Sequence, residues 1–241
     1  MIRYTVVPRD IQHPTPDEIQ LIESHIKHDV ANLQMACTNS SDSYLQVHSE
    51  RITRAVDSLK ANQNPNQRVR LIPLLEELYA LLETRRRKLE EEDRHMIIGF
   101  SSPEVGIVNN NPDVLYMQLF NFAQNAIEVY GDKRSISIEI KAKELTFTTA
   151  ELSSFGRNKN GYTSQDPFVK VCIGDYAGGI PEEILVSGQI FQPRFTTKKT
   201  GTGLGLSLVE YVCDHLHGFC TAETDRGRSF FNLYLPVERK S

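Results

Sequence analysis

The stretch KTGTGLGLSLVEYV, residues 199–212, sets Gly201, Gly203 and Gly205 at alternate positions directly ahead of an apolar helical pattern. Bare backbone N–H groups at a helix N-terminus attract anions, and glycine lets the backbone approach closely, so the chemistry this pattern serves best is phosphate binding. The spacing is not that of G-x-G-x-x-G, and no Gly-Lys-Ser/Thr follows, so neither a dinucleotide fingerprint nor a P-loop is present. Arg194, Lys198 and Lys199 precede the glycines and can neutralise phosphate charge. Over residues 112–130 a wheel at about 100° per residue puts Leu115, Leu119, Phe122, Ala126 and Tyr130 on one face and Gln118, Asn121, Asn125 and Glu128 opposite. Those four polar side chains read either as a solvated face or as something chemical. Asparagine is a mediocre helix former, and two at i, i+4 suit oxygen ligands for a hydrated Mg²⁺ beside phosphates. Asp175 ends a buried-looking strand and is followed by small, flexible residues that let a planar base come close. A carboxylate there can accept a hydrogen bond from an exocyclic amine.

These groups need elements to hold them. Thr15, Pro16 and Glu18 form a helix start with a capping box. Beyond it Ile19, Ile22, Ile26, Val30, Leu33 and Cys37 keep one stripe at helical spacing until TNSSDS at 38–43 breaks it. A second stripe, Leu45, Ile52, Val56 and Leu59, runs to NQNPNQ at 62–67. A helical hairpin of ~50 residues is below the size that usually builds a stable core, so two copies are expected to pair as a four-helix bundle. Leu71, Leu75, Leu78 and Leu82 mark a third helix, MIIGF at 96–100 a strand, and Asn111 with Pro112 the start of a helix ended by Gly131. Strands are expected at 135–142, 144–152 and 168–175, with 156–166 as a hairpin loop, then a helix at 207–216. A closing hairpin at 219–236 turns at Asp225, Arg226 and Gly227. The division is residues 1–66, a helical hairpin, and 67–241, an α/β sandwich; the class is α+β.

With 39% hydrophobic and 24% charged residues among 241, the chain is an ordinary globular one able to bury a core. The net charge of −4 leaves nucleic-acid binding without an electrostatic footprint. The single basic run, Arg85–Lys88, is balanced by Glu90, Glu91 and Glu92 at helical spacing. Cys37, Cys172, Cys213 and Cys220 have no metal or disulfide spacing, and a reducing, cytoplasmic setting is expected. No stretch approaches the roughly 18 apolar residues of a membrane span. Any signal is then expected to come from a separate sensory partner or from a region outside this sequence.

The order of these stretches resembles that of a known family. Residues 71–236 resemble the ATP-binding domain of sensor histidine kinases, the GHKL ATPase fold, with QLFNFAQNAIE as the N box, DYAGGIPEEI and GTGLGLSLV as the two glycine boxes, and FQPRFTTKK as the F box. The resemblance implies a mixed sheet with helices on one face, and ATP with Mg²⁺ as cofactors. It implies Asn125 as the metal ligand with Asn121 nearby, Asp175 as the adenine reader, and Gly179 in the first glycine box. Lys198, Gly201, Thr202, Gly203, Leu204 and Gly205 then fall at the phosphate end of a mobile lid of roughly 182–202. The chain departs from the family at Tyr176, Ala177, Arg194 and Glu128.

KHDVANLQM at 27–35 resembles the family's phosphoacceptor box. His28 lies about 180° from the Ile26/Val30/Leu33 stripe and so faces solvent. His25 is also off the stripe, and geometry alone leaves the two comparable; Asp29 and Asn32 after His28 favour the latter. The resemblance implies an ATP-dependent protein-histidine kinase, homodimeric through residues 16–62, that phosphorylates His28 and passes the group to an aspartate of a response regulator receiver domain. Asn32 adds the expectation of phosphatase activity toward that regulator. The alternative is a histidine phosphotransfer or scaffold protein whose nucleotide site has degenerated.

Overall fold

The computed structural model describes residues 4–6, 15, 17, 20, 21, 24, 43–60, 67–103, 105–155, 162–192, 195–197, 206, 209, 213 and 218–238. A six-stranded mixed sheet forms its frame, from β1 (Tyr4–Val6), β3 (His95–Ser101), β5 (Ser135–Thr146), β6 (Pro167–Asp175), β7 (Phe219–Asp225) and β8 (Arg228–Pro236), in the order β1-β7-β8-β6-β5-β3. β3 runs parallel to β5, and every other pair is antiparallel. A separate ribbon pairs β2 (Gln67–Arg70) with β4 (Ile107–Asn110).

α2 (Leu71–Glu91) and α3 (Pro112–Glu128) cover one face of the sheet. The leucine stripe of α2 (Leu71, Leu75, Leu78, Leu82) and the apolar face of α3 meet Ile138, Ile140, Val171, Ile173 and Leu233 in one core. Alternation along each strand sends Phe168, Phe219 and Tyr234 to the opposite face. There they cluster with Phe147 and Leu152, and the Phe219 and Tyr234 rings stack at 4.5 Å between centroids.

Leu152 belongs to a helix where the sequence pattern predicts a strand. Residues 144–152 divide: β5 runs on to Thr146, and α4 (Thr149–Ser154) begins behind a capping box. The Thr148 hydroxyl accepts the Glu151 amide at 3.2 Å, and the Glu151 carboxylate accepts the Thr148 amide at 2.7 Å. Two satisfied end groups outweigh the β-propensity of the threonines. The expectation of helices on one face alone is corrected accordingly, because α4 packs its leucine on the other.

α1 (Ser43–Lys60) matches the second predicted helix. Of its apolar stripe, assigned from sequence to a four-helix bundle, Ile52, Val56 and Leu59 are covered within the chain, buried with Ala55 in the core shared with α3. Charge reinforces the contact. Arg54 holds Asp113 with two hydrogen bonds, and Arg51 pairs with Glu77 at 3.1 Å while lying over the Tyr116 ring. Most of the first predicted helix, 16–38, lies outside the described residues; within it Asp17, Gln20, Leu21 and Ser24 are helical and exposed. Val209 and Cys213 are helical as expected for 207–216 and fully buried, and Leu206, just before that range, is helical too. The closing hairpin turns where predicted, with Arg226 and Gly227 at φ 51° and 75°. Among the described residues no helix is long and apolar enough to cross a membrane.

Candidate functional site

Asp175 is the last residue of β6, opposite Ile138 on β5 and Ser229 on β8, and only 2% of its surface is exposed. The chain turns at once: Asp175 Oδ1 accepts the Ala177 amide at 2.9 Å, an Asx turn. Desolvation raises the pKa of this carboxyl, opposed by hydrogen bonds from the Ala177 amide and the Ser229 hydroxyl and by the charge of Lys133. Gly178 and Gly179 follow at φ 130° and 85°, conformations that L side chains rarely adopt. A Cβ at Gly179 would lie 2.9 Å from Thr224 Cγ2, so the turn packs against the β7–β8 hairpin. The Gly178 amide donates to Gly227 O at 3.0 Å. The Thr224 hydroxyl accepts the Ile180 amide at 2.8 Å and donates to Ile180 O at 3.1 Å. Ala177, the departure that adds a methyl, uses its amide to close the turn and its carbonyl to receive Lys133 Nζ at 3.3 Å.

α3 supplies the second wall. Asn111 caps it, its Oδ1 accepting the Asp113 and Val114 amides at 3.0 and 3.2 Å with Pro112 in the first turn. The polar face predicted for α3 is buried in its first half, Gln118 fully and Asn121 to 7% exposure, while Asn125 and Glu128 are half-buried. Among the described residues the Asn121 Nδ2 has no hydrogen-bond partner, and neither has either amide atom of Gln118. Asn125, one turn further, turns its own Nδ2 back onto Asn121 O at 3.0 Å, so of its two amide atoms the oxygen is the one suited to a cation.

Sequence reasoning missed the parts that join these walls. Tyr130, at the end of α3, donates its hydroxyl to Ser137 O at 2.6 Å and accepts the Tyr176 amide at 2.9 Å. Burial raises the pKa of this phenol. On the wheel Tyr130 counts only as one more apolar residue; nothing local marks its hydroxyl. Ser229 and Thr224 lie some fifty residues beyond the turn they hold, and pairing across β6–β8 alone brings them there. Asn121 and Asn125 thus lie along α3, and Asp175 and Gly179 lie in the turn after β6 that Tyr130 and Lys133, just beyond α3, tie down. His28, Asp29, Asn32, Lys198, Gly201, Thr202, Gly203, Leu204 and Gly205 lie outside the described residues. The lid expected from 182 opens with packed structure instead: α5 (Glu182–Ser187) and a turn of 3₁₀ helix at Gln189–Phe191 bury Leu185, Ile190 and Phe191. Those three anchors hold the first half of the span to the core.

A buried carboxylate at a strand end, a glycine turn beside it and an uncompensated asparagine amide fit a nucleotide with a free amine on its base. Residues 110–239 match the family described as histidine kinase-, DNA gyrase B-, and HSP90-like ATPase, and the chain belongs to that family. It is similar to the sensory histidine kinase/phosphatase NtrB of Vibrio alginolyticus, 25% identical over 193 residues, covering 79% of this chain and 50% of that protein. The sensor kinase CckA of Brucella abortus is 28% identical over 236 residues, 89% of this chain and 24% of that one. The chain therefore spans half or less of the length of these curated relatives. Among solved structures, the nucleotide-free catalytic domain of the histidine kinase ThkA superposes with a TM-score of 0.52 at 27% identity, covering 71% of this chain and 95% of that domain.

Proposed function

We propose that this chain is an ATP-dependent protein-histidine kinase of a two-component system, acting as a homodimer and handing its phosphoryl group to an aspartate of a response regulator. The observation that carries the reading is Asp175: a desolvated carboxylate fixed at the end of β6, beside glycines of positive φ, in a chain of this ATPase family. Asp175 would accept the exocyclic amine of adenine, and Asn121 and Asn125 would face the phosphates, Asn125 offering its oxygen to Mg²⁺. Among the described residues no three His, Cys, Asp or Glu side chains could hold a metal ion by themselves, so a Mg²⁺ here would depend on phosphate oxygens, water and Asn125. Bound Mg²⁺ would neutralise the charge that develops on the transferring phosphate.

The His28 imidazole would attack the γ-phosphorus, forming an N–P bond as the bond to ADP breaks. Asp29 would orient the other ring nitrogen and take up its proton. Asn32, one turn on, would hold a water in line with the regulator's aspartyl phosphate, adding phosphatase activity by positioning. The homodimer reading rests chiefly on the apolar stripe of residues 16–38, because Ile52, Val56 and Leu59 of α1 are buried within the chain.

The test is incubation with γ-labelled ATP and Mg²⁺. Wild type and His25→Ala should take up an acid-labile label and His28→Ala should not; label surviving acid, or unchanged in His28→Ala, overturns the reading. Nucleotide titration disposes of the scaffold alternative, which requires that ATP not bind.

A further inference from the structure

The antiparallel ladder between β5 and β6 ends at the pair Ile138 and Asp175. Continued by one residue, its next rung would join Ser137 to Tyr176. That rung is made, with a phenol set into it: the Tyr130 hydroxyl accepts the Tyr176 amide at 2.9 Å and donates to Ser137 O at 2.6 Å. The two strands are thereby spliced apart by one oxygen atom immediately beyond Asp175. We propose that Tyr130 is a positioning residue for nucleotide recognition, its hydroxyl holding the β5–β6 ladder open by one rung so that the Asp175 carboxylate takes the angle an adenine amine requires.

The surroundings commit the hydroxyl to this purpose. Tyr176, whose amide it receives, is held at its far end too, its phenol donating to Glu139 Oε2 at 3.1 Å and its ring lying 5.2 Å beneath the Arg228 guanidinium. Lys133, 5.8 Å above the Tyr130 ring, reaches the carbonyl of the following residue, Ala177. The segment that follows α3 therefore grips both residues after Asp175, while Gly227 and Thr224 hold Gly178 and Ile180 from the other side. Without the hydroxyl, Ser137 O and the Tyr176 amide are left unpaired or close directly on each other. Either outcome moves the backbone that carries Asp175, and displacements of an ångström matter at a recognition site.

The inference rests on Asp175 reading adenine, and the experiment separates the two. ATP and GTP are titrated calorimetrically onto the full chain of wild type, Tyr130→Phe and Asp175→Asn. Tyr130→Phe should weaken ATP about tenfold and leave GTP unchanged, compressing the preference between them. Equal weakening of both nucleotides with a lowered melting temperature would reduce Tyr130 to a structural prop and overturn the proposal. Asp175→Asn binding ATP like wild type overturns the adenine reading and this inference with it; Asp175→Asn weakened while Tyr130→Phe is not overturns the inference alone. Should Tyr130→Phe fail to fold, amide hydrogen exchange on nucleotide-free wild type decides: the Tyr176 amide should be protected, and exchange at an open-loop rate refutes the bridge.

Discussion

Arg54 on α1 and Asp113 in the first turn of α3 form a two-pronged ion pair, Nε to Oδ2 at 2.8 Å and Nη2 to Oδ1 at 3.3 Å. It fastens the helix expected to belong to a phosphotransfer hairpin onto the helix that carries Asn121 and Asn125. Arg54 is half exposed, so water and salt screen the pair. A double-mutant cycle of Arg54→Met and Asp113→Asn should give a coupling of about 0.5–1 kcal/mol that fades in 1 M salt. A coupling indifferent to salt would contradict this.

Asp175→Asn should cost nucleotide affinity yet raise the melting temperature of the free protein at neutral pH. The folded-state pKa of Asp175 is raised by desolvation, so the folded state binds the proton more tightly than the unfolded one. Stability contributed by this group therefore falls as pH rises from the ordinary carboxylate range through the raised value. The variant's gain at neutral pH should vanish in acid. Thermal scans across pH with and without ATP check both halves.

Gly179→Ala should destabilise by about 1–2 kcal/mol, combining a disfavoured φ with a contact to Thr224 that leaves no room for a methyl. Thr224→Ala, which drops the γ-methyl with the hydroxyl, should recover the steric part of that loss in Gly179→Ala and none of the φ part. Urea midpoints for the two single variants and the double variant give the split.

The capping box of α4 responds to acid in the opposite sense to Asp175. Hydrogen bonds from the Thr148 amide and hydroxyl lower the Glu151 pKa, so the stabilisation is complete above the ordinary carboxylate range and lost as pH falls through the lowered value. Amide exchange in residues 149–154 should quicken over that interval; Thr148→Ala, which removes the hydroxyl and keeps the amide, should weaken the pH dependence, and Glu151→Gln should erase it.

Cys172 should resist thiol reagents at pH 8 until the protein unfolds. It is buried, and desolvation lifts its pKa to about 11, leaving almost no thiolate. Native and denatured samples compared by mass after brief alkylation test this.

The places of the two asparagines on a helix, of Asp175 at a strand end and of the glycine turn after it were legible from residue type and short spacing, and Asn111-Pro112 and Arg226-Gly227 announce the start of α3 and the turn of the last hairpin. What stayed hidden is set by partners far away in the chain. β1 is three residues with no pattern of their own, read as a strand only because Thr224, Glu223 and Ala222 lie opposite. Gln118 looks like a surface residue on any wheel, yet it is fully buried. The 144–152 stretch failed for a local reason: Thr148 and Glu151 form a cap that alternation obscures.

The pairing of Tyr4–Val6 with residues 222–224 also fixes an order in time. A ribosome delivers the first strand some two hundred residues before its partner, so this edge of the sheet stays open until residues 222–224 have emerged. Thr224 spans both events, receiving β1 along its backbone while its hydroxyl closes on Ile180. Completion of the sheet edge and tightening of the turn beside Asp175 thus fall together once Thr224 has emerged, and a chain stalled before that point holds the core helices without a finished site.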